Sequence, residues 1–166
     1  MSQIKPSSRA PAAGAVQTGL RGCTCFKLRR LNRRVTAVYD RALSAAGMRV
    51  TQYSLLGHLR GLGGVPMSEL AAMLDMDRTT LTRNLKALID SGWVKVRSGD
   101  EDARVRLVQL TSVGEKRWKA ARTCWRQAQD EVNNTIGPAN LASLHQMLDT
   151  YVPLFRPATG NEEASE

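Results

Sequence analysis

Two helical stretches lie only three residues apart in this chain, and a stretch of strand character follows at once. Residues 68–74 and 78–90 carry apolar side chains at helical spacing, with only Asp75-Met76-Asp77 between them. So short a connection makes two helices turn sharply on each other. Asp77 is placed to accept hydrogen bonds from the free N–H groups that open the second helix. Ser91-Gly92 then ends that helix. Trp93-Val94-Lys95-Val96-Arg97 and Val105-Arg106-Leu107-Val108-Gln109-Leu110 have β-branched and apolar residues at strand spacing. The polar Ser98-Gly99-Asp100-Glu101-Asp102 between them is a turn.

A helix-turn-helix followed directly by a hairpin is the outline of a winged helix, and long helices flank it. From residue 23 to 46, Leu28, Leu31, Val35, Val38 and Ala42 recur at spacings of three and four, and Gly47 ends the run. A further helix is predicted over about 51–60, broken by Gly61-Leu62-Gly63-Gly64. Ser112 and Glu115 have the spacing of a capping box, opening a helix over 113–136 with Trp118, Ala121, Trp125, Ala128 and Val132 in line. After Gly137, Pro138 fits the first turn of a last helix carrying Leu141, Leu144, Leu148, Tyr151 and Phe155. The expected fold is therefore mainly α with a small β-hairpin wing. Residues 1–20 and 157–166 read as flexible tails, 51–111 as the winged helix-turn-helix, and 21–50 and 112–156 as terminal helices. Narrow apolar seams at both ends of the chain fit helices that intertwine with a second copy, so we read them as dimerisation helices. The plainer reading is that they pack on each other within one chain.

Composition narrows the function classes. With 42% hydrophobic and 23% charged residues, the bulk of the chain folds rather than staying disordered. No apolar run reaches the length of a membrane span, and residues 1–20 lack the apolar core of a secretory signal. Three Cys make no disulfide framework and two distant His build no metal site, so the expectation is a cytoplasmic protein without metal or cofactor. Nothing resembles a glycine-rich phosphate loop or a catalytic carboxylate pair, which argues against an enzyme. The net charge of +9 makes nucleic acid the first partner to consider. That charge is uneven. Residues 23–47 hold Lys27, Arg29, Arg30, Arg33, Arg34 and Arg41 against Asp40 alone, whereas residues 137–166 hold Arg156 and four acids.

On the helix 78–90, Leu81, Leu85, Leu88 and Ile89 make the inward face. Thr79, Arg83 and Lys86 fall opposite, flanked by Arg78, Thr80, Thr82 and Asn84. Arg pairs with guanine and Asn with adenine in the major groove, where an α-helix fits. Arg97, Asp102, Arg104 and Arg106 belong to the hairpin. Strand alternation puts Asp102 and Arg104 on one side, so the carboxylate can fix a guanidinium that enters a narrow minor groove.

These residues resemble the MarR family of winged-helix regulators. The resemblance rests on Met67-Ser68-Glu69-Leu70-Ala71, on Arg78-Thr79-Thr80-Leu81-Thr82-Arg83-Asn84-Leu85 and on Leu88-Ile89-Asp90-Ser91-Gly92-Trp93-Val94. Most specific is Asp102-x-Arg104, followed after five residues by Leu110-Thr111 and then Gly114. It covers about residues 23–155. It implies a homodimer on double-stranded DNA, with a recognition helix in the major groove, Arg104 in the minor groove, and Asp102 orienting Arg104. It also implies release from DNA by a small aromatic or phenolic effector, or by oxidants. Arg29, Arg33, Tyr39, His58, Trp118 and Trp125 are candidates for holding such a ligand, as cations for an anionic group and rings to stack. The two Trp also read simply as core, and His58 as an interface histidine. The segment Cys23-Thr24-Cys25-Phe26 is similar to the start of the family's peroxide-sensing branch, and Tyr39 matches a tyrosine that supports the thiol there. Val50 departs from that branch, as does the place of Cys124. Near a helix start and near Lys27, Arg29 and Arg30, Cys25 has surroundings that favour a thiolate. On a helix, Cys23 and Cys25 would point to different sides and not pair.

The leading expectation is a sequence-specific transcription regulator, most simply a repressor, that acts as a homodimer on a pseudo-palindromic operator. A cysteine-based peroxide sensor using Cys25 is the alternative within that class. From another class, an unregulated architectural DNA binder or a protein-interaction winged helix would show no preference between palindromic and random DNA.

Overall fold

The computed structural model describes residues 22–99, 102 and 104–155. The two expected tails, together with Asp100, Glu101 and Ala103 of the hairpin turn, lie outside the described residues. Residues up to Val35 and those from Thr36 onward form two units, with α1 (Thr24–Leu43) running from one into the other. The packing below is that of the second unit.

α1 closes in a 3-10 turn, Ser44–Ala46, and Gly47 adopts φ 65° to send its N–H back to the Ser44 carbonyl. This is the stop expected of that glycine, although the α-helix proper ends at Leu43. α2 (Val50–Leu59) follows, held to α1 by the Asp40 carboxylate, which accepts the Val50 N–H at 2.8 Å. Its own first turn is closed by Gln52, whose side chain accepts the Arg49 N–H at 2.9 Å.

β1 (Val65–Pro66) leads straight into α3 (Met67–Met73), and α4 (Arg78–Asp90) comes after the tight turn. β2 (Val94–Ser98) and β3 (Arg106–Leu110) form the hairpin. The sheet is antiparallel in the order β1-β3-β2, with Val65 opposite Val108 and Val96 opposite Val108 on the other side. The third strand was not foreseen from the sequence: two residues carry no alternation, and Pro66 is tolerable only because β1 is an edge.

Leu43, Leu55, Leu56, Leu59, Leu70, Leu81, Leu85, Leu88, Val94 and Val108 are buried in one core. Each fully buried Leu contributes about 1.5–3 kcal/mol of hydrophobic stabilisation, so this cluster fixes how α4 and the hairpin sit. Ile89, expected inside with the leucines of α4, is 39% exposed. Leu81, Leu85 and Leu88 already complete the buried stripe, and Ile89 lies one step past it.

α5 (Ser112–Ile136) is capped by Thr111, not by the Ser112–Glu115 box: the Thr111 hydroxyl accepts the Gly114 N–H at 3.0 Å and donates to the Gly92 carbonyl at 2.7 Å. One side chain thus starts the helix and bolts it to the end of α4. Glu115 pairs with Lys119 at 2.9 Å instead, and that partner holds its carboxyl below the usual range. α6 (Pro138–Tyr151) begins with its proline in the first turn and ends in a 3-10 turn, Val152–Phe155. No residue of α6 is buried.

Candidate nucleic-acid interface

Helix α4 starts as its sequence dictates. Asp77 accepts the Thr80 N–H at 2.8 Å and the Thr80 hydroxyl at 2.6 Å, and these bonds hold its carboxyl below the ordinary range. Arg78, Thr79, Thr80, Thr82, Arg83 and Lys86 are all exposed on the side away from Leu81, Leu85 and Leu88. They are not equally available. Thr80 is spent on the cap, and the Thr82 hydroxyl donates to the Arg78 carbonyl at 2.8 Å. Asn84 is half-buried, with its amide on Met76 Sδ at 3.7 Å, inside the turn between α3 and α4. Lys86 bridges to Asp90 at 3.0 Å in an exposed pair that costs little to open. Among the described residues, Arg78, Thr79 and Arg83 are therefore the side chains of this face that no internal bond engages.

At the wing, Asp102 and Arg104 lie in the turn, because β3 begins only at Arg106, so strand alternation does not relate them. Asp102 does meet Arg104, but at the backbone: its carboxylate accepts the Arg104 N–H at 2.8 Å. Val105 N–H bonds to the Asp102 carbonyl at 3.1 Å, and Gly99 N–H to the Val105 carbonyl at 2.8 Å. The acid shapes the turn that carries Arg104 and leaves the guanidinium exposed, without a carboxylate partner among the described residues. Arg106 is exposed as well, whereas Arg97 is half-buried and donates to the Ser98 carbonyl at 3.2 Å.

A polar cleft of about 280 Å³ runs beside α4, between Arg49, which precedes α2, Thr51 and Gln52 of α2, and Arg83, Asn84 and Ala87 of α4. Arg49, Thr51 and Gln52 carry no local motif, so only the fold brings them to this face.

On the other side of α2 lies a cavity of about 410 Å³. Tyr39 lines it from α1, Tyr53, Gly57 and His58 from α2, and Trp118, Trp125 and Gln129 from α5. Tyr53 stacks on Trp118 with ring centres 5.1 Å apart and on Trp125 at 5.7 Å. Two indoles seven residues apart on a helix are separated by roughly 10.5 Å of rise, and the phenol ring fills that slot. Arg60 lies over Trp118 at 4.1 Å, and Tyr39 tilts toward Trp125 at 6.5 Å. The Tyr39 hydroxyl donates to Gln129 at 2.7 Å, and burial pushes its phenol pKa up. His58 places Nδ1 2.8 Å from the Ser54 carbonyl, so that nitrogen donates. Four of the six ligand candidates thus meet at one cavity. Arg29 and Arg33 are exposed on the first half of α1 and are not among its lining. Tyr53 was missed, although the paired indoles signalled a gap one ring thick.

The MarR family model matches residues 46–105. An uncharacterized HTH-type transcriptional regulator of Bacillus subtilis, YwoH, is 33% identical over 90 residues, 54% of this chain and 65% of that protein. The multiple antibiotic resistance protein MarR of Salmonella typhimurium is 27% identical over 126 residues, 74% of this chain and 86% of that one. The transcriptional regulator MosR of M. tuberculosis, solved in complex with DNA, is 36% identical and superimposes with a TM-score of 0.68 over 80% of this chain and 98% of its own. The chain belongs to the MarR family of DNA-binding transcriptional regulators.

Members of the MarR family are not enzymes, and among the described residues no group of His, Cys, Asp or Glu could hold a metal ion. No described helix is long and apolar enough to cross a membrane. In this MarR chain Cys25 is exposed in the first turn of α1, a turn without acidic residues. The helix starts at Thr24, so Cys23 precedes it and the helical angle that was expected to separate the two cysteines does not apply.

Proposed function

We propose that this MarR-family protein is a cytoplasmic homodimeric repressor that reads a pseudo-palindromic operator. In each protomer α4 enters the major groove with Arg78, Thr79 and Arg83, and Arg104 reaches the adjacent minor groove. The observation that carries this reading is the division of α4: one face is locked into the core by leucines, and the other presents uncommitted polar groups next to an exposed wing arginine. Dimerisation accounts for the apolar side chains left exposed toward both ends of the described chain. On α1 these are Phe26, Leu28 and Leu31; after α6 they are Val152, Leu154 and Phe155, the last 82% exposed. A small aromatic effector in the cavity would favour a dimer whose heads are wrongly spaced for DNA, shifting the population away from the operator.

The test is equilibrium binding to selected palindromic DNA and to random DNA across salt concentrations. A specific complex gives a ratio of roughly a thousandfold or more and a steep loss of affinity with salt. A ratio near one at every salt concentration contradicts the regulator reading and leaves an architectural binder.

A second reading is supported by one observation, the exposed Cys25 thiol beside cationic residues at the start of α1. If it senses peroxide, Cys25→Ser retains operator binding and no longer releases DNA on hydroperoxide treatment. Release equal to that of the wild type ends the redox reading.

A further inference from the structure

The polar cleft beside α4 has a one-sided chemistry. Two arginines line it, Arg49 and Arg83, and no Asp or Glu does. Neither guanidinium has a carboxylate partner among the described residues. The Gln52 side-chain oxygen already accepts the Arg49 N–H at 2.9 Å, which leaves its amide NH2 as a donor, and Thr51 adds a hydroxyl. Two guanidiniums with neutral donors between them are suited to an oxyanion. The walls are set before any anion arrives. Arg49 is tied down by that bond to Gln52 and by its neighbour Val50, whose N–H bonds to Asp40 at 2.8 Å. Arg83 rides on α4 between Leu81 and Leu85, which share one core with Leu55, Leu56 and Leu59 of α2.

Position decides which oxyanion. An α-helix with its side chains is about 10–12 Å across, and the major groove is about 12 Å wide. A helix seated there fills the groove from wall to wall, so an element packed beside it meets the phosphate ridge. The cleft lies on that border, between α2 and α4. We propose that it seats one backbone phosphate of the operator in each protomer, held by Arg49 and Thr51 on the α2 side and by Arg83 on α4. This rests on the reading of α4 as the groove helix. Arg49 then positions α4 without reading sequence, as phosphate contacts do. Arg83, with five donors in a planar fork, gives one edge to the phosphate and keeps the other for the bases.

The test titrates the full chain with selected palindromic DNA and with random DNA over a range of salt concentrations. Each phosphate contact contributes about 0.9 to the slope of log affinity against log salt. In Arg49→Gln the slope falls by about that much per cleft, on both DNAs alike. Affinity at fixed salt drops roughly tenfold per cleft, and the ratio between the two DNAs holds. Arg49→Lys restores the slope because the charge returns. Arg122→Gln makes the same change of charge at an exposed α5 residue outside the cleft lining, and it leaves the slope as in the wild type. Methylphosphonates placed one at a time along the operator locate the phosphate: neutralising it weakens the wild type and leaves Arg49→Gln unaffected. An unchanged slope in Arg49→Gln, or no backbone position whose effect that variant abolishes, overturns the proposal and leaves α4 as the groove helix. Inorganic phosphate that binds the wild type but not Arg49→Gln, with the slope on DNA unchanged, overturns it in favour of a free anion. A wild-type ratio near one between the two DNAs overturns the reading of α4 and the proposal with it.

Discussion

Arg104→Ala lowers operator affinity by about 1–3 kcal/mol for each wing, roughly five- to a hundred-and-fiftyfold in Kd per site. Oligomeric state and melting temperature are expected to stay as they are. Arg104 is exposed and has no carboxylate partner among the described residues, so truncation removes nothing on which the fold relies. On the proposed reading it removes the cation that enters the narrow groove, where the negative potential is enhanced. Asp102→Ala should produce a milder loss by a different route. Its carboxylate holds the Arg104 main-chain N–H, so the arginine remains but its direction is no longer set. Fluorescence anisotropy with labelled operator, paired with a thermal melt, checks both variants. Unchanged operator affinity in Arg104→Ala refutes the wing assignment.

Gly114→Ala has the largest expected effect on stability. A Cβ at this position collides with the Trp93 carbonyl and comes within 2.8 Å of Leu110 Cδ1. Neither neighbour can move freely: Trp93 O accepts the Thr111 N–H at 3.0 Å, and Thr111 caps α5. Backbone has to shift where the hairpin, the end of α4 and the start of α5 meet. Overpacking of this kind costs about 3 kcal/mol, or roughly 6–12 °C in Tm for a domain of this size. Gly63→Ala is the control, since a Cβ there meets nothing within 4 Å and the backbone is not left-handed. A Gly114→Ala protein that melts with the wild type would show that the junction is looser than described.

The helix-turn-helix was legible because its signals are local. The three-residue turn, the Asp77 cap and the leucine spacing of α4 each act within a few residues, and the helix runs from Arg78 to Asp90 as its sequence indicates. Signals that depend on distant partners were not legible. β1 exists because Val65 and Pro66 meet Val108 and Leu107 of β3, and nothing in two residues announces that. The choice between Thr111 and Ser112 as cap was settled by the Gly92 carbonyl, which only the fold brings within reach of Thr111. For the same reason, side-chain type alone overstated the reading face. Thr80, Thr82 and Asn84 have the right donors, but each bonds inward. The cavity was half visible: Trp118 and Trp125 were in view, but the ring that fills the gap between them, Tyr53, comes from α2, far earlier in the chain.

The central claim is that two copies read one DNA site together, with α4 of each in successive major grooves. Heads on a two-fold dimer must sit about one helical turn apart, so the spacing between half-sites tests the claim most directly. Binding is measured on the selected palindrome and on the same palindrome with five base pairs, about half a turn, inserted at its centre. The insertion is predicted to bring affinity down to the level of random DNA, while a full-turn insertion costs less. Equal affinity for the original and half-turn sites would contradict the account, because each head would then be reading DNA on its own.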